Sequence, residues 1–164
     1  MAALTGCTAA PVRIGDGMVS EGQESFKIET PGATYVYQRA AGGFSSIIDG
    51  AGTDWVQFRK TAAATYPASA ASDYRGLPNL VYKSDDGGCG HPGFRKMRSE
   101  RMGENQIRSE SNSGAWAWTW TFREAFAELQ VERVDTAHPY WFLYEGPMAG
   151  TFSPATHYWG TDRG

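Results

Sequence analysis

Three histidines, His91, His138 and His157, are the side chains that titrate near neutrality unaided, and their neighbours suggest what their protons could do. His91 lies in the glycine-rich run Gly87-Gly88-Cys89-Gly90-His91-Pro92-Gly93, where an imidazole can act as general acid or base, or simply bond a loop carbonyl. Cys89 and His91 have the spacing of half a zinc site, but no second ligand pair at zinc spacing follows, so neither a metal nor a cofactor is expected. His138 precedes Pro139 and is therefore extended at a strand entry, just before an apolar strand, where it is a catalytic candidate or a strand-edge residue shaping the turn. Glu145 ends an apolar run before Gly146-Pro147. A carboxyl at such a rim can have a raised pKa and serve as a base, or can bond the backbone of the next turn. His157, between Thr156 and Tyr158, is given no orientation by its neighbours.

Recognition groups accompany these. Arg75 can grip a carboxylate through two parallel hydrogen bonds, and Asn79 can donate to sugar hydroxyls or to a uronate. Together with a His or Tyr base they would make a lyase-like set that takes a proton from beside a uronate carboxylate. Alternatively they tie down the long loop that carries them. Trp55, Trp141 and Trp159 lie near turns and are candidates for stacking on sugar rings. The catalytic candidates are thus His91, His138, Tyr140 and Glu145, and the substrate-binding candidates Arg75, Asn79, Trp55, Trp141 and Trp159.

Strands would have to position these groups. Period-2 text predicts strands over 25–29, 34–39, 44–49 and 53–58, separated by Pro31-Gly32, Ala41-Gly42-Gly43 and Gly50-Ala51-Gly52. Residues 1–24 carry little pattern and read as a tail or a loosely held first strand, with the domain running from 25 to 164. Residues 59–93 form a long connection of the kind that is commonly functional. Strands resume over 94–101 and 105–111. The clearest alternation follows: Trp116, Trp118, Trp120 and Phe122 share one face, with Ala and Thr on the other. Three alternating indoles are read as core rather than as a glycan platform. Ala127, Leu129 and Val131 alternate next, and Tyr140 to Glu145, apolar on both faces, predicts a central strand.

The fold class that results is all-β, an antiparallel β-sandwich. Composition agrees: Leu, Ile, Val and Phe number only 25 of 164, while 6 Trp and 8 Tyr supply large buriable surfaces and 20 Gly supply turns. The net charge of −3 argues against nucleic acid as a partner, since no basic excess is present to displace counterions. No GxxxxGK[ST] phosphate loop occurs. Leu4-Thr5-Gly6-Cys7 resembles the bacterial lipobox, in which the cysteine is acylated after signal cleavage. It implies an exported protein tethered through a lipid on Cys7, and stands beside the reading of a plain N-terminal tail.

The phrase Gly42-Gly43-Phe44-Ser45-Ser46-Ile47-Ile48-Asp49, followed by Gly52-Thr53-Asp54-Trp55, resembles the opening hairpin of galactose-mutarotase-like supersandwich domains. Taken with Arg75-Gly76-Leu77-Pro78-Asn79-Leu80-Val81, His91-Pro92-Gly93-Phe94 and His138-Pro139-Tyr140-Trp141-Phe142-Leu143-Tyr144-Glu145-Gly146, the chain is similar to a family of exported bacterial proteins of that kind from about Phe26 onward. Such domains are usually longer, so the resemblance implies the front part of one. The class is used by epimerases, polysaccharide lyases and parts of glycosidases. The resemblance therefore implies a protein that acts on or binds a polysaccharide, with Arg75 favouring a uronate. The alternative is a non-catalytic glycan-binding or cell-surface domain.

Overall fold

The computed structural model describes residues 11–56, 77–80, 96–137, 139–140, 142–143, 153, 155 and 160–161, with Asn79, Leu80 and Leu143 as backbone only. Strands β1 (Arg13–Ser20), β2 (Gln23–Glu29), β3 (Ala33–Gln38) and β4 (Gly43–Asp49) form one antiparallel meander. After the short β5 (Asn79–Leu80), strands β6 (Met97–Arg101), β7 (Gln106–Ser111), β8 (Ala117–Phe122) and β9 (Ala127–Arg133) form a second. The last strand, β10 (Phe142–Leu143), pairs with β5. No helix occurs among the described residues. The two four-stranded sheets pack face to face as an antiparallel β-sandwich, as expected.

The core follows the alternation. Trp116, Trp118, Trp120 and Phe122 are all buried, at 2%, 0%, 5% and 0% exposure. They find room because the same face of the sheet is floored by Ser99 on β6 and by Ser109 and Ser111 on β7, all buried. Large rings on one strand thus fit over small residues on its neighbours. From the other sheet come Phe26, Ile28, Tyr35, Tyr37 and Phe44. Phe44 is the hub, with ring centroids 5.0 Å from Tyr37 and 4.9 Å from Trp120. Gly42 sits where this packing is tightest. Its φ is +68°, and a Cβ there would lie 2.9 Å from Met97 Cγ and 3.1 Å from Trp118 Cζ2.

A polar chain crosses this interior. Trp118 Nε1 donates to Tyr37 Oη at 3.1 Å, Tyr37 Oη and Ser109 Oγ lie 2.6 Å apart, Ser109 and Ser99 hydroxyls 2.8 Å, and Ser99 Oγ donates to the Arg39 carbonyl at 2.7 Å. Each hydroxyl has one proton. Since Ser99 spends its own on Arg39, Ser109 must donate to Ser99, and Tyr37 to Ser109. The direction runs one way from Trp118 to Arg39, crossing between the sheets three times.

Three expectations are corrected. The sheet begins at Arg13, not Ser25: of the two readings for 1–24, the strand holds over Arg13–Ser20, while residues 1–10, Cys7 included, lie outside the described residues. Gly15, Gly17 and a bulge between Gly15 and Met18 erase the alternation that would have announced β1. Residues 53–56 form no strand. A single bridge joins Asp54 to Ile48, and the Asp54 carboxylate, accepting from Ile47 N at 3.1 Å, replaces a ladder carbonyl. Finally, Tyr140 to Glu145 is not a doubly covered central strand over its described part. Among the described residues Phe142 and Leu143 pair with Leu80 and Asn79 of β5, and Tyr140 and Phe142 are 40% and 52% exposed. An apolar run on both faces fixes burial only when sheets or loops cover both, and the exposure of Tyr140 and Phe142 shows that one face here is open.

Both sheets run lengthwise between the same two ends. At one end the β2–β3 turn seats on the β8–β9 turn, with Gly32 N donating to the Glu124 carbonyl at 3.0 Å. At the other, Met97 N donates to the Ala40 carbonyl at 3.0 Å.

Candidate functional site

The loop that follows β4 is built around two carboxylates. Asp49 Oδ1 accepts from Ala51 N and Thr53 N, both at 2.9 Å, and Asp49 Oδ2 accepts from the Trp55 indole Nε1 at 2.9 Å. Asp54 Oδ1 accepts from Ile47 N and from Val56 N, at 3.1 and 3.0 Å. The consequence is a fixed alternation at the loop's exit. Val56 is driven into the core at 2% exposure, while Trp55 remains 39% exposed with its N–H end tied down. The indole bond, followed by the Thr53 and Ala51 amides, holds the Asp49 carboxyl below the usual carboxylate range. The Asp-x-x-Gly-x-Asp-Trp phrase is thereby given a local physical role: it presents one indole on a rigid mount.

The other candidates are distributed differently. Tyr140 packs edge-on against buried Trp116, with ring centroids 5.7 Å apart. Trp116, just before β8, and Phe122, at its end, are six residues apart, about 20 Å at strand rise, and Phe122 lies at the Gly32–Glu124 end, where the Trp55 loop also is. Trp55 and Tyr140 therefore occupy opposite ends of the sandwich and do not form one site. Asn79 is placed by its backbone opposite Leu143, three residues from Tyr140, so the long connection does return to the Tyr140 segment. Arg75, His91, His138, Trp141, Glu145 and Trp159 lie outside the described residues. Among the described residues no three of His, Cys, Asp and Glu gather as metal ligands.

The outer face of the second sheet carries a set of charges that the sequence reading did not single out. The Arg108 guanidinium is forked between Glu110 and Glu132, with Nη1 and Nε each 2.9 Å from a carboxylate oxygen, and Arg133 donates to the other Glu110 oxygen at 3.2 Å. Arg98, Glu100, Arg108 and Glu110 line a shallow open groove. Hydrogen bonds from Arg108 and then Arg133 hold the Glu110 carboxyl below its ordinary range. A general acid at neutral pH needs the opposite shift. This face thus works as a solvated cross-strand ion lattice. The missed signal was register, which places Glu100 opposite Arg108 and Glu110 opposite Arg98 only once β6 and β7 are paired.

No family model, curated protein or solved structure matches this chain.

Proposed function

We propose that this chain is a carbohydrate-binding β-sandwich that offers Trp55 to the apolar C–H face of a sugar ring. The observation that supports this reading is the mount of Trp55: a half-exposed indole whose N–H is fixed to Asp49 while the neighbouring Val56 anchors the loop in the core. An exposed ring already held in one orientation loses little side-chain freedom on binding, which favours its use as a contact surface. Export with a lipid on Cys7 belongs to the same proposal.

The test is calorimetric titration of the folded protein with a panel of neutral and acidic polysaccharides, beside Trp55→Ala. Binding that falls about tenfold in the variant, roughly the loss of one stacking contact, is the expected result. Equal binding by the variant, or no binding to any polysaccharide, refutes the reading. Following the same mixtures for new reducing ends or unsaturated uronates reports on turnover.

A further inference from the structure

The two four-stranded sheets have edges at β1, β4, β6 and β9, and the first three are obstructed. Along β4, Phe44 N donates to the Leu77 carbonyl at 2.7 Å, Ile47 N to Asp54 Oδ1 at 3.1 Å, and the Ile47 carbonyl accepts from Trp55 N at 2.8 Å. β6 is tied to the opposite sheet by Met97 N on the Ala40 carbonyl, and β1 is broken by its bulge and holds Arg101 Nη1 on the Ile14 carbonyl at 3.0 Å. At β9 nothing comparable occurs. Arg123 N donates to the Phe126 carbonyl at 2.8 Å, so in the register that follows Glu128 and Gln130 exchange bonds with β8, while the N–H and C=O of Leu129 and Val131 point away from the sheet. Among the described residues no donor or acceptor meets them. The strand has no Gly, Pro or Lys to guard this edge, and its ladder is regular from Ala127 to Val131.

The chemistry of the strand says what fits it. Glu128-Leu129-Gln130-Val131-Glu132 has the same pattern in both directions. Turned about a two-fold axis through Gln130, an antiparallel second copy sets its Val131 opposite Leu129 and its Leu129 opposite Val131. Four main-chain hydrogen bonds then close between the open groups. Leu129 is partly buried against the core and Val131 is 37% exposed, so the pairing carries the inner apolar face past its present rim. On the outer face Gln130 meets Gln130 of the second copy, and a carboxamide, with both donors and an acceptor, complements its own image. The ends bring Glu128 opposite Glu132. Each of these arrives with its own cation, Glu128 with Arg123 at 3.7 Å and Glu132 with Arg108 at 2.9 Å. Arg133, beside them, is paired with Glu110 at 3.2 Å.

We propose that β9 is a self-pairing edge, through which two copies of this chain join antiparallel about an axis at Gln130 and merge their second sheets into one of eight strands. The occupant is a second copy because the strand already carries the apolar spacing, the amide and the compensated charges that such a partner must present. The proposal stands apart from the Trp55 reading. A contact of one short strand is at the small end of interface sizes, so the dimer is weak and forms with rising concentration.

The test is sedimentation of the full chain from micromolar to millimolar concentration, with melting temperatures as the folding check. The mass is expected to rise from one chain towards two and stop there. Gln130→Glu sets two carboxylates on the axis and should weaken the dimer about 3- to 5-fold. Labelled Gln130→Glu titrated with unlabelled Gln130→Lys should regain it, since opposite charges then meet. Val131→Lys aims an ammonium at Leu129 of the second copy and should weaken the dimer at least about tenfold. Gln130 is exposed, so its variants test the proposal even if Val131→Lys fails to fold. A single chain at every concentration, growth beyond two chains, undiminished dimer in folded Val131→Lys, or no recovery in the mixture overturns the proposal.

Discussion

Tyr37→Phe removes one atom from a fully buried position and breaks the chain of hydrogen bonds that joins the sheets. Two bonds disappear: the one that Tyr37 Oη accepts from Trp118 Nε1 and the one that it donates to Ser109. Trp118 is 0% exposed, so its N–H is left without an acceptor and without water, which costs about 1–3 kcal/mol. Ser109 still donates to Ser99 and loses only an incoming donor, about 0.5–1.5 kcal/mol. The expected destabilisation is therefore about 2–4 kcal/mol. For a chain of this size that corresponds to a fall in melting temperature of about 5–15 °C. Ser109→Ala interrupts the chain one step on, stranding the Tyr37 hydroxyl proton. In the double variant the stranded Tyr37 proton and the unfilled Ser109 acceptor are both gone while the Trp118 N–H stays unpaired, so the combined loss should be smaller than the sum by about 1 kcal/mol. Urea unfolding of the four proteins measures this directly. A second readout separates the hydroxyl from packing. Burial pushes the Tyr37 phenol well above its ordinary range. A group whose folded pKa is raised gives its full stability below the unfolded value, about 10, and loses it as pH climbs towards the folded value. Tyr37→Phe should flatten that alkaline limb, leaving the share of Tyr35, which burial also raises. A change below about 0.5 kcal/mol in Tyr37→Phe, or strict additivity with Ser109→Ala, would refute the one-way chain.

Two further outcomes follow from single positions. The depressed Asp49 carboxyl contributes its stability above the ordinary carboxylate value and loses it as pH falls through the folded one. The Trp55 indole N–H resonance should then hold steady down to about pH 4 and move only below it, and should show no such titration in Asp49→Asn; a midpoint above pH 4 would contradict the assignment. Gly42→Ala should cost about 2–4 kcal/mol in urea unfolding, through a positive φ and a Cβ 2.9 Å from Met97 Cγ. Adding Met97→Ala should not recover the backbone part of that cost.

The sequence by itself determined that the chain is all-β and that Trp116, Trp118, Trp120 and Phe122 form a core face, because a strand's side chains alternate whatever it packs against. It also marked Gly50-Ala51-Gly52 as a turn with Trp55 close behind it, because glycines make that local, but it carried a strand over 53–58 where the described 53–56 form none. Tertiary structure decided what depends on a partner. Whether Tyr140 and Phe142 are covered turned on what packs over them, and they are left 40% and 52% exposed. Whether Gly15 and Gly17 lie in a tail or a strand turned on β2 lying beside them. Ser99 and Ser109 look like surface residues in the sequence, and only the opposite sheet, by bringing Tyr37 to them, gives their hydroxyls a buried use. Phe126 reads as one residue of a turn. Its turn meets the β2–β3 turn because Gly32, nearly a hundred residues earlier, leaves room for the two to touch, and contact at that separation is written in packing, not in local pattern.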